Sequence, residues 1–160
     1  MERLEISKEG DKKLINKMHE YLRIFRKLSN YSSEELGEEI GVSRTTLVNF
    51  ERNVENIRMS KAQYLALRTV LEAKALELEK YENDDSLKKA IELVFYSQNY
   101  EENKTEIKEA LTTAGAVCGI KGSISIGKIL APVLPIAGIV AFGMGTAALI
   151  LKGLGSQKKY

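Results

Sequence analysis

The chain has 160 residues, with 24 Lys and Arg against 22 Asp and Glu and a formal charge of +2. A single cysteine, Cys118, excludes an intramolecular disulfide, and with His19 the single histidine there is no His/Cys cluster at metal-ligand spacing. No nucleophile, base and orienting group occur together, so the residues point away from an enzyme and call for no cofactor or metal. The N-terminus, Met1-Glu2-Arg3-Leu4-Glu5, is charged and lacks an apolar core. It is neither a secretory signal nor a transit peptide, which places the head of the chain in the cytoplasm.

Charge is unevenly spread. Residues 1–80 are nearly neutral, 81–110 are acidic, and 111–160 carry Lys121, Lys128, Lys152, Lys158 and Lys159 with no Asp or Glu. This divides the chain into a head (1–80), a connector (81–110) and an apolar, Gly-rich tail (111–160). Along the head, Leu14, Ile15, Met18, Leu22, Phe25 and Leu28 recur at helical spacing and predict a helix over 12–28, ended by Ser29-Asn30. Ser32 is a candidate N-cap with Glu35 completing a capping box, Leu36 and Ile40 form the buried side, and Gly41 stops the helix. Ser43 caps a further short helix in which Leu47 and Phe50 face inward. Residues 53–59 read as a loop. Ser60 then caps a helix to about Lys80 packed through Tyr64, Leu67, Val70, Leu71 and Leu78. Residues 83–86 form a turn, Leu87, Ile91, Val94 and Phe95 share one helix face, and an acidic helix opens near Lys104. No strand pattern survives, so the expected fold class is all-α.

Two short serine-capped helices joined by Gly41-Val42 make the helix-turn-helix pattern, whose second helix enters the DNA major groove. Gly37 supplies space where the two helices cross. Arg44 can donate two hydrogen bonds to guanine, Asn49 can pair with adenine, and the methyls of Thr45 and Val48 can touch thymine. The stretch from Tyr31 to Arg52, with Glu35-Leu36, Gly41-Val42-Ser43 and Leu47 to Glu51-Arg52, resembles the Cro/CI (XRE-type) helix-turn-helix family over roughly residues 12–78. The resemblance implies a lambda-repressor-like head that binds double-stranded DNA as a dimer on symmetric sites. It also implies that Arg44, Thr45 and Asn49 read bases and that Ser43 contacts phosphate. The sequence departs from the family at Ser33, Gly37 and Asn53, where glutamine, alanine and glycine are usual. Glu34, Glu35, Glu38 and Glu39 also set four carboxylates against any approach of the first short helix to phosphate.

In the tail, Gly115, Gly119, Ser123, Gly127 and Ala131 recur every fourth position, and Ala137, Ala141 and Gly145 form a second series. Such spacing lines small residues along one helix groove, a glycine zipper through which helices associate closely in membranes. The run Ile129–Leu151 is uncharged, and a helix over it would extend roughly 34 Å, enough for a ~30 Å hydrocarbon core. Pro132 and Pro135 interrupt the ladder. Two layouts follow. One is a hairpin of Thr105–Leu130, a turn over Ala131–Pro135, and Ile136–Lys152. The other is a single span over Ile129–Leu151, kinked near its start.

The expectation is therefore a sequence-specific DNA-binding transcription regulator, homodimeric or higher in order, whose tail anchors it in a lipid bilayer or oligomerises it. One alternative is a soluble repressor whose tail is a buried oligomer core or receives a regulatory protein. The other is a membrane-active protein that uses its helix-turn-helix for protein docking. Among the remaining features, His19 beside Glu20 reads as a surface or half-buried side chain, Cys118 as a packing residue, and Tyr81, Phe95, Tyr96 and Tyr100 as core or interface. Gly143 and Gly145 lack the strand and downstream acid of a nucleotide site.

Overall fold

A computed structural model of the chain describes residues 2–118 and 126–138. The described residues are helical, without a strand, in the order α1 (Glu2–Ser29), α2 (Ser33–Ile40), α3 (Arg44–Glu51), α4 (Lys61–Glu82), α5 (Ser86–Phe95), α6 (Lys104–Val117), α7 (Ile126–Leu130) and α8 (Leu134–Ala137). They pack as two units, Met1–Arg68 and Thr69–Tyr160, with α4 contributing its first two turns to one and the remainder to the other.

In the first unit, α2 and α3 pack on each other and α3 packs on α1. The core is formed by Met18, Leu22 and Phe25 of α1, Leu36 of α2, Leu47 and Phe50 of α3, and Tyr64 and Leu67 of α4. Helix α1 begins at Glu2, ten residues before the expected start at Lys12. Ile40 is half-buried rather than core, and its place on α2 is taken by Leu36 and Gly37. Asparagine ends three helices: Asn30, Asn53 and Asn83 adopt φ of 65°, 54° and 52°, the left-handed conformation that asparagine tolerates better than other side-chain-bearing residues.

In the second unit, α5 supplies Leu87, Ala90, Ile91, Leu93 and Val94 to a core completed by Ile107, Leu111 and Ala114 of α6 and by Leu130, Val133 and Ala137. The Tyr96 hydroxyl donates to the buried Glu72 carboxylate at 2.6 Å, tying the end of α5 to α4. Of the aromatic set, Tyr100 is buried and Phe95 half-buried, but Tyr81 is 72% exposed and belongs to no core among the described residues.

The tail departs from both sequence layouts. A helix over Thr105–Leu130 is not formed, because α6 ends at Val117 and Cys118 turns extended (φ −60°, ψ 127°). Thr112, Thr113, Gly115 and Val117 are all weak helix formers near that end. Chain beyond the break returns as α7, which packs on α5 and α6. Gly115 is buried on α6 while Gly127 lies on α7, so the four-residue ladder is not one groove. Residues 131–133 form a turn with Ala131 exposed, and Pro135 sits in the first turn of α8, where proline is tolerated. Gly138 then closes α8 at φ 62°. A single unbroken helix over Ile129–Leu151 is excluded by that turn and that glycine. Instead, the backbone N–H groups of Gln98 and Asn99 donate to the carbonyls of Gly138 and Ala137 at 3.3 and 3.2 Å, and the Ser97 hydroxyl donates to Ala137 as well. Among the described residues no helix is long and apolar enough to cross a membrane. Gly119, Ser123, Ala141, Gly145, Lys121 and residues 139–151 of the apolar run lie outside the described residues.

Candidate nucleic-acid interface

The two short helices are held in register by local hydrogen bonds that the sequence spells out. The Ser32 hydroxyl accepts from Glu35 N–H at 3.0 Å while the Glu35 carboxylate accepts from Ser32 N–H at 3.4 Å, a complete capping box. Gly41 at φ 76° ends α2, and Val42 N–H donates back to the Gly37 carbonyl at 2.9 Å. A Cβ on Gly37 would stand 2.8 Å from the Val42 carbonyl oxygen, so the close crossing needs a glycine at this position. Two residues on, the Ser43 hydroxyl accepts from Thr46 N–H at 3.1 Å and lies 2.9 Å from the Thr46 hydroxyl, which starts α3.

Helix α3 has two faces. Leu47 and Phe50 are buried against the unit, while Arg44 and Thr45 are exposed and Val48 and Asn49 are half-buried. Spacing of one, three and one places these last four on a single stripe. Ser43 stands at its N-terminal end. No ion pair or side-chain hydrogen bond engages Arg44, Thr45 or Asn49 among the described residues, which leaves their polar atoms available.

Residues that sequence reasoning passed over set the angle of α3. Arg26 of α1 pairs with Glu51 at the end of α3 through two guanidinium nitrogens and donates a third bond to the Tyr31 carbonyl at 3.2 Å. The two side chains are 18% and 7% exposed, so the pair is largely desolvated. Their separation of 25 positions leaves no local signal in the sequence. His19 is the second such residue and corrects the surface reading, because it is 0% exposed. Its Nε2 accepts from Met59 N–H at 3.0 Å, which makes Nδ1 the protonated nitrogen donating to the Phe50 carbonyl at 3.0 Å. One neutral imidazole thereby joins α1, the end of α3 and the entry to α4. Burial lowers its pKa from the ordinary 6.5; the Phe50 carbonyl opposes that shift and the Arg58 charge adds to it.

Residues 22–67 match a helix-turn-helix family model. This segment is a helix-turn-helix domain. No curated protein and no solved structure matches the chain. The helix-turn-helix match supports a DNA-binding transcription regulator, and the matched segment contains α2, α3 and the Arg26–Glu51 pair whole. The outer face of α2 still bears Glu34, Glu35, Glu38 and Glu39, all exposed. Among the described residues no group of His, Cys, Asp or Glu could hold a metal ion.

Proposed function

We propose that the chain is a sequence-specific DNA-binding transcription regulator that places α3 in the major groove. The observation carrying this reading is the exposed stripe of Arg44, Thr45, Val48 and Asn49 on a helix whose other face is fixed by Leu47, Phe50 and the Arg26–Glu51 pair. Arg44 offers a planar fork to guanine O6 and N7, Asn49 offers donor and acceptor to adenine, and Thr45 and Val48 offer methyl contact to thymine. Ser43, whose hydroxyl is engaged by the backbone of α3, positions the helix end. A dimer on a two-fold site is the arrangement expected for a helix-turn-helix domain of this type.

For the tail, the burial of Leu130, Val133 and Ala137 against α5 and α6 favours a packing role over a bilayer anchor for residues 126–138. The lipid-bound and protein-docking readings have no such observation behind them. The test is selection of a preferred duplex by the full chain, followed by mobility shifts with Arg44→Ala. Preference at one base pair should relax by ~1–3 kcal/mol. Unchanged preference removes Arg44 from base reading, and failure to select any duplex removes the function.

A further inference from the structure

Beside the recognition stripe lies an open cleft of about 280 Å³, lined by Arg23 and Arg26 of α1, Ser33 of α2, and Val48, Glu51 and Arg52 at the end of α3. Its charges do not cancel. Glu51, the one carboxylate in the lining, is consumed by Arg26. Arg23 and Arg52 are both exposed and neither makes an ion pair or a side-chain hydrogen bond among the described residues. Two arginines without a partner among the described residues therefore line one small opening, together with Ser33 at the start of α2.

We propose that Arg23 and Arg52 clamp one phosphodiester of the DNA backbone in this cleft, an inference that rests on the DNA-binding reading and adds the residues that position it. The chemistry suits a singly charged, tetrahedral phosphodiester with two free oxygens, which the planar guanidinium fork meets with two parallel hydrogen bonds. The placement suits it too. Val48 belongs to the α3 stripe and precedes Arg52 by one helical turn, so a phosphate held by Arg52 flanks the base edges that Val48 and Asn49 reach. The clamp also answers the repulsion from α2. With Glu34, Glu38 and Glu39 exposed on that helix and Ser33 too short to reach far, attraction to the backbone has to come from the neighbouring elements, and α1 and the end of α3 bring Arg23 and Arg52 to the cleft.

The test is fluorescence anisotropy of the full chain on its selected duplex and on an unrelated duplex, across a salt series. Arg23→Ala and Arg52→Ala should each weaken binding by the same factor on both duplexes, leave base preference intact, and make the slope of log K against log salt shallower by about 1. Arg23→Lys and Arg52→Lys should restore the slope, since the charge remains, and thermal melts should match the parent because both side chains are exposed and unpaired. Parent-like slopes in the alanine variants overturn the clamp while leaving the recognition helix standing, and so does a loss confined to the selected duplex. A parent chain that binds neither duplex overturns the clamp together with the DNA-binding reading.

Discussion

In Met1–Arg68 the helix starts are side chains bonded to backbone: Ser32 to Glu35, Ser43 to Thr46, and Ser60 to Gln63 at 3.1 Å with Gln63 answering at 2.8 Å. In Thr69–Tyr160 the flanking residues Asp85, Asn103 and Val133 make no such bond, and α5 to α8 are held by apolar burial against one another. The first unit starts α2, α3 and α4 through the side chain of the capping residue itself. The second combines apolar packing with bonds from other positions, Asp84 to Ser86 N–H at α5 and Ser97, Gln98 and Asn99 to the end of α8. A reader of sequence has access to the first kind of information and little of the second. Two ion pairs, one from each unit, differ sharply in solvation: Arg26–Glu51 in the first unit is largely desolvated, whereas Lys88–Glu79 in the second, at 3.0 Å, joins side chains 31% and 40% exposed.

The largest expected effect follows from that last difference. Glu51→Ala leaves the Arg26 guanidinium desolvated without a counter-charge and should destabilise the chain by roughly 3–5 kcal/mol, the range for one partner removed from a buried pair. Glu79→Ala should cost less than about 1 kcal/mol, as exposed pairs do. Urea unfolding of the two variants against the parent measures both. Equal losses would mean that the pair at the end of α3 is as solvated as the one in the second unit, and the contrast would be gone.

Acid should act on the two units with opposite signs. His19 has its pKa lowered by burial, so the unfolded chain takes up its proton first; the stability it contributes is full above the ordinary 6.5 and is lost as pH falls from there through the folded value. Protonation also destroys the acceptor for Met59 N–H. Glu92 has its pKa raised, chiefly by burial, with Lys88 opposing and the Glu79 and Asp85 charges adding. Its cost is absent below the ordinary 4.5 and appears as pH rises through the folded value. Because His19 is the single histidine in the chain, its imidazole C–H signals report it alone by NMR. They should show the neutral Nδ1–H form persisting below pH 6.5. Glu92→Gln should stabilise the chain at pH 7 and flatten that limb of the melting profile. A His19 that titrates at its ordinary value would break the bridge between Phe50 and Met59.

Legibility in the sequence follows the same division. Ser32, Glu35, Gly41 and Ser43 marked α2 and α3 because each residue's role is decided by neighbours within four positions, and Gly37 was readable because a crossing that tight needs a missing Cβ. Asn53 was readable as a left-handed turn for the same local reason. Arg26 and His19 were not, since their partners lie 25 and 31 or more positions away. The tail misled in a third way. Small residues every fourth position look identical whether they line one helix or sit on two, and what separates Gly115 from Gly127 is the break after Val117 and the return of α7 onto α5 and α6. Hydropathy alone carries the demand for burial, and it does not say whether lipid or α5 meets it.

The smallest effect sharpens the comparison most directly. Ser32→Ala removes the acceptor for Glu35 N–H and should cost about 1 kcal/mol, the usual worth of a capping serine. Asp85 stands at the equivalent position of α5 without a cap bond; its backbone (φ −100°, ψ 9°) is not the extended form that a capping residue takes, and the preceding Asp84 carboxylate accepts from the Ser86 N–H at 3.0 Å. Its remaining contact is an exposed pair with Lys89 at 2.8 Å. Asp85→Ala should therefore cost no more than about 0.5 kcal/mol. If melting temperatures ranked the two the other way, α5 would depend on its flanking side chain and α2 would not. Local caps would then have ceased to distinguish the helix-turn-helix unit from the other, and the legibility of α2 would need a different cause.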